Sequence, residues 1–196
     1  RTARQVRALV DALHATGSGV RPIVSIDHEG GRVHRLPRPF THFPPAASWT
    51  DPKTAEAVGL AMGRELAAVG IDLDFAPVLD VWSNPENRVI GDRAFGTTPA
   101  PVARAALAQA RGLARGGVLT CGKHFPGHGD TLADSHFELP TVAKSRRALE
   151  AMEIAPFRRA IAARIPSLMT AHVVYPALDR HLPKPLNGRR VWVARN

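Results

Sequence analysis

The stretch KHFPGHGDTLADSH, residues 123–136, packs three histidines, two aspartates and a lysine into fourteen positions. Asp134 and His136 lie two apart, so in an extended or turning backbone both side chains face the same way. A carboxylate accepting from one imidazole nitrogen fixes the tautomer and raises the basicity of the other. Such a pair protonates a leaving group and then serves as a base near neutral pH. The competing reading is a loop whose Asp and His only satisfy backbone groups. A metal is a third reading, since His124 and His128 are four apart and would suit zinc on one helical face. Pro126, Gly127 and Gly129 disfavour a helix there. His124, His128, Asp130, Asp134 and His136 could then converge only from a loop, with no cysteine partner. The expectation is no metal and no cofactor.

The elements that must position this stretch alternate along the chain. A helical pattern over residues 2–15 stops at Gly17 and Gly19, and RPIVSID follows as a buried strand. DPKTAEAVGLAMGRELAAVG reads as a helix capped by Asp51, with Pro52 in its first turn and Gly70 as its stop. The strand IDLDFAPVLDV comes next, then a helix over 101–115 that feeds the strand GVLTCGKH. A single helix over 145–163 precedes the last strand, SLMTAHVVYP. Strands alternating with helices of this length predict a parallel sheet, whose chemistry gathers at the carboxyl ends of the strands. Each strand here runs into its most polar residues: Asp27-His28-Glu29, Asp80 with Asn84, Lys123-His124, and His172. A (β/α)8 TIM-type barrel is the first expectation and a doubly wound sheet the second. No glycine-rich phosphate loop follows any strand, which weakens the second. A full barrel needs about 250 residues, so the 196 residues with four strands read as the central part of one, in a single partial domain over 1–196.

Composition excludes several other classes. The chain is 44% hydrophobic and 22% charged, ordinary for a globular protein, and one cysteine, Cys121, excludes an internal disulfide framework. No apolar run reaches the ~20 residues of a membrane helix. The first residues read as an amphipathic helix, not a signal peptide. A cytoplasmic location is expected, although a chain starting at Arg1 leaves a secreted or periplasmic form open. The formal charge of +9 raises nucleic-acid binding, but the arginines are dispersed, with no interleaved aromatics. No nucleic-acid partner is expected, and oligomeric state stays open.

IDHEGGRVHRL, GIDLDFAPVLDV, VIGDRAFG, KHFPGHGDTLADSH and LMTAHVVYPALD occur in this order. Together they closely resemble glycoside hydrolase family 3, in its β-N-acetylhexosaminidase branch, over about residues 20–179. The resemblance implies retaining hydrolysis of terminal, non-reducing N-acetylglucosamine from peptidoglycan- or chitin-derived oligosaccharides. It implies His136 and Asp134 as the acid/base pair in place of the usual second carboxylate. It further implies sugar binding by Asp27, Arg35, Arg93, Lys123 and His124. His172 is expected to line the pocket. The family's nucleophile, an aspartate in a Ser-Asp-Asp-type motif after the TAH strand, is expected downstream of Asn196, and the 196-residue chain alone is expected to be inactive. Two alternatives stand beside the hydrolase. One is a phosphorylase, because a histidine acid/base admits phosphate where a carboxylate repels it; the other is a non-catalytic sugar-binding fragment.

Blander readings apply to the neighbours. Glu29 and Arg32 are expected to pair with one another, and neither reads as catalytic. Asp72, Asp74 and Asp80 read as holding loops or strand ends, Asp92 as orienting Arg93, and His128 as loop packing.

Overall fold

The computed structural model describes residues 2–131 and 140–179, with the backbone of 185–186 and 189–192. Helix α1 spans Ala3–His14 and begins at Thr2, whose side chain and that of Gln5 cap each other's backbone amides. Strand β1 is Ser25–Ile26, helix α2 Pro52–Ala68, and strand β2 Leu73–Asp74. Helix α3, Pro99–Arg115, starts two residues before the sequence expectation. Its prolines occupy the first turn, where a missing N–H leaves no helical bond unmade. Strand β3 is Leu119–Phe125 and strand β4 Ser167–Thr170. Strands β5, Pro185–Leu186, and β6, Arg189–Trp192, form a separate antiparallel pair.

The single helix expected over 145–163 is two: α4, Arg146–Ala151, and α5, Ala155–Ala162. Pro156 lies in the first turn of α5. Inside one continuous helix it would lack a donor and press on the carbonyl of residue 152. At the break Glu153 turns inward, fully buried, and accepts from Lys144 Nζ at 2.6 Å.

Strands β1 to β4 form one sheet in that order, every neighbouring pair parallel. Consecutive strands lying side by side match the winding of a barrel, and no switch point of a doubly wound sheet occurs among the described strands. Strand β2 is shorter than the sequence pattern because its ladder is interrupted at Pro77, which has no N–H to give. Pairing resumes at once: Lys123 N donates to Pro77 O at 3.1 Å and Leu79 N to Lys123 O at 2.6 Å.

The core is one large cluster in which Met62, Leu66, Leu79, Phe95, Leu113 and Phe157 are fully or almost fully buried. Across it α2 and α3 meet through glycines. A Cβ on Gly112 would lie 2.2 Å from Glu56 O, and one on Gly59 2.3 Å from Gln109 O. No helix is long and apolar enough to cross a membrane among the described residues.

Candidate active site

The ends of β1 and β3 bring two carboxylates and one lysine together. Lys123 is 1% exposed, and its ammonium lies 2.6 Å from Asp27 Oδ1 and 2.5 Å from Glu29 Oε1. Asp27 keeps a side chain 43% open to solvent, whereas Glu29 is closed in at 5%. Arg93, on the 3-10 turn Gly91–Arg93, donates through Nε to Glu29 Oε2 and through Nη2 to Glu29 Oε1, both at 2.8 Å. Its Nη1 donates to Val89 O at 3.0 Å. Burial alone would push the Glu29 carboxyl up, but the hydrogen bonds from Arg93 and the charge of Lys123 hold it at about 2.

The expected pairing of Glu29 with Arg32 is therefore corrected. Arg32 is exposed and donates to Val89 O and Ile90 O, with Asp92 3.7 Å from its Nε. Asp92 faces Arg32 and does not orient Arg93. Both errors have one cause: the true partner of Glu29 is 64 residues away in the chain, and spacing favours the neighbour.

Beside Lys123, His124 is fixed by a carboxylate from the β2 side. Asp80, fully buried, accepts from His124 Nδ1 at 2.6 Å and, through Oδ1, from the amides of His124 at 3.2 Å and His128 at 2.7 Å. Burial works to raise Asp80, and the His124 ring and the His128 amide outweigh it and hold the carboxyl low. With Nδ1–H given to Asp80, Nε2 of His124 is the nitrogen left for a ligand. Asp80 thus does more than hold a strand end, because it also sets the imidazole tautomer.

Asp74 is fully buried and accepts from the His28 amide at 3.0 Å, with its other oxygen unpartnered. Burial raises its pKa well above the usual carboxylate range. Asp27 begins no helix and caps none, which leaves its free oxygen to the site. Arg35 and His172 are exposed, and the side chain of neither is hydrogen-bonded to this cluster. Asp134 and His136 lie outside the described residues. The stems of their segment are described: Asn87 Nδ2 donates to His128 O at 2.7 Å, and Lys144 lies 2.9 Å from Asp130. Beyond the segment, Thr141 bridges Val174. His128 packs buried in its stem, near Thr131 Oγ1 at 2.9 Å. Among the described residues no group of three His, Cys, Asp or Glu side chains could hold a metal ion.

Against known proteins, the sequence profile described as the glycosyl hydrolase family 3 N terminal domain matches residues 1–195. The chain belongs to glycoside hydrolase family 3. A beta-hexosaminidase of Alkalilimnicola ehrlichii is 43% identical over 200 residues, covering 96% of this chain and 56% of its own length. One from Neisseria gonorrhoeae is 44% identical over 182 residues, covering 87% and 49%. Among solved structures, a family 3 beta-N-acetylglucosaminidase from Paenibacillus sp. superposes with TM-score 0.87 at 43% identity, covering 91% of this chain and 35% of that one. NagZ of N. gonorrhoeae, in complex with N-trifluoroacetyl-D-glucosamine, gives TM-score 0.85 at 42% identity, covering 91% and 55%. The chain spans about half the length of the curated relatives it matches.

Family membership confirms the TIM-barrel-type fold, of which the β1–β4 sheet is an arc. The family motifs led to Asp27, Arg93, Lys123 and His124 but passed over Glu29 and the orienting role of Asp80. For Glu29 a signal was available, since it stands two residues after Asp27 on an extended segment and so on the same side.

Proposed function

We propose that this family 3 chain carries the sugar-binding strand ends and the acid/base loop of a retaining β-N-acetylhexosaminidase. The observation that carries the reading is the convergence of Asp27, Lys123 and Arg93 on one cluster at the strand ends, with His124 fixed alongside. Asp27, bonded through one oxygen and open to solvent, accepts from vicinal hydroxyls of a terminal N-acetylglucosamine. Lys123 has used two of its three donors and Arg93 three of its five, so both retain hydrogens for sugar oxygens. Such donors, held before substrate arrives, need no reorganisation as charge develops.

In this reading His136, oriented by Asp134, protonates the glycosidic oxygen as the bond to the anomeric carbon breaks. An aspartate closes on that carbon to give the glycosyl-enzyme. Water then attacks the same carbon, His136 takes its proton, and the carboxylate leaves. The nucleophile is assigned to a Ser-Asp-Asp-type motif following β4 in the chain, a motif these 196 residues do not contain. Peptidoglycan- or chitin-derived fragments in the cytoplasm are the proposed substrates, and recovery of the activity in a periplasmic or culture fraction would overturn the location.

The test is turnover of 4-nitrophenyl N-acetyl-β-D-glucosaminide by protein expressed from the whole reading frame. Nitrophenol release without added phosphate, and none from the matching glucoside, is the expected result. A requirement for phosphate, with sugar 1-phosphate as product, would make the enzyme a phosphorylase. Binding of N-acetylglucosamine without turnover would make it a sugar-binding protein.

A further inference from the structure

We infer that Glu29, itself hidden from substrate, is the positioning residue that fixes Arg93 and Lys123 in the geometry with which they grip the sugar; the inference rests on the functional reading above. Both cations are largely removed from water, Lys123 at 1% and the Arg93 side chain at 14% exposure. Arg93 and Lys123 come from separate elements, the turn after β2 and the end of β3, and Glu29 is the only side chain within salt-bridge distance of both among the described residues. Its two oxygens take three charged hydrogen-bonding contacts: Oε2 faces Arg93 Nε, and Oε1 faces both Arg93 Nη2 and the lysine ammonium. The fork-to-fork geometry fixes the plane of the guanidinium, which a single charge contact would leave free to rotate. It also sets which donors remain: one hydrogen on each terminal nitrogen of Arg93 and one on Lys123.

The division of labour between the two acids follows from exposure. Asp27 shares Lys123 but stays open, so its free oxygen serves the ligand. Glu29, 5% exposed, is closed off from solvent and acts only through its two partners. Asp27 and Glu29 with Lys123 and Arg93 make a set with two charges of each sign, so losing the Glu29 charge leaves one buried cation uncompensated.

Glu29→Gln keeps the size and removes the charge, and its amide must turn hydrogens toward Arg93 or Lys123. In protein from the whole reading frame, kcat/KM on the nitrophenyl N-acetylglucosaminide should fall by roughly 30- to 1,000-fold. The Kd for free N-acetylglucosamine should weaken with it. Glu29→Asp restores the charge one methylene short and should recover part of the loss, which keeps the test alive if the amide variant folds poorly. The decisive comparison is a double-mutant cycle with Arg93→Ala. If Glu29 acts through Arg93, Glu29→Gln costs much less in the Arg93→Ala background than in wild type. Additive losses, or full affinity in Glu29→Gln, would overturn the inference. A crystal structure of Glu29→Gln separates this from the functional reading. Arg93 and Lys123 unmoved overturns the positioning role whatever the enzyme does. A wild-type protein that neither binds nor cleaves the N-acetylglucosaminide overturns the functional reading instead.

Discussion

His28 is a buried imidazole whose ring centroid lies 4.5 Å from that of His34, which lies 4.5 Å from His42 in turn. Burial first, then the charges of His34, Arg35 and His42, lower its pKa from 6.5 to about 4. The unfolded chain takes up this proton near pH 6.5 and the folded chain only near 4. Its contribution to stability is therefore complete above pH 6.5 and lost as pH falls toward 4, by about 3 kcal/mol at most. Thermal unfolding from pH 7.5 to 4 should show that decline, and His28→Phe should flatten it in that window; an unchanged slope would disprove the assignment. Glu29 acts lower, from its ordinary range down to about 2, so the two windows barely overlap. Asp80→Asn tests the His124 tautomer. An asparagine still accepts the two amides, but its NH2 then faces Nδ1 and forces the ring proton to Nε2. The imidazole 15N shifts should report that switch, together with a fall in kcat/KM of roughly 10- to 100-fold. Residue types and strand-end positions were legible from sequence. Which arginine meets which acid was not, because ion pairs are chosen by the turn after β2 and not by proximity in the chain.

Element boundaries followed local chemistry where it was strong, as at the Asp51 cap and Pro52 of α2. They departed where one residue overruled a pattern. Pro156 divides the last helical stretch, and Pro77 shortens the β2 ladder. The glycine contact between α2 and α3 was written in the sequence as GLAMG and GLARG yet carries no meaning until the two helices are known to touch. Gly→Ala in an exposed helix stabilises by about 1 kcal/mol. Gly112→Ala should do the reverse here, because its methyl would drive into Glu56 O and Leu60 N. Overpacking of this kind costs about 1–3 kcal/mol. Urea unfolding should show the midpoint falling, and a rise would mean that the helices separate easily.

At the scale of the whole molecule, strand order agrees with the barrel, and family membership decides what alternation alone left open between a barrel and a doubly wound sheet. The family profile then ties that winding to a known architecture. What the sequence could not foretell is how charge is apportioned. The 196 residues carry a formal +9, yet Asp27 and Glu29 with Lys123 and Arg93 cancel among themselves. A cancelled set has a field that dies away within a few ångströms, while the net positive charge of the chain adds a diffuse potential screened over about 10 Å at 0.1 M salt. Ionic strength should therefore sort substrates by their own charge. Turnover of a neutral nitrophenyl glycoside by protein from the whole reading frame should stay level between 0.02 and 0.5 M sodium chloride, over which the Debye length shortens from roughly 20 to roughly 4 Å. A sugar bearing lactyl or peptide carboxylates should lose capture rate over the same range, as its long-range attraction is screened before it reaches the strand ends.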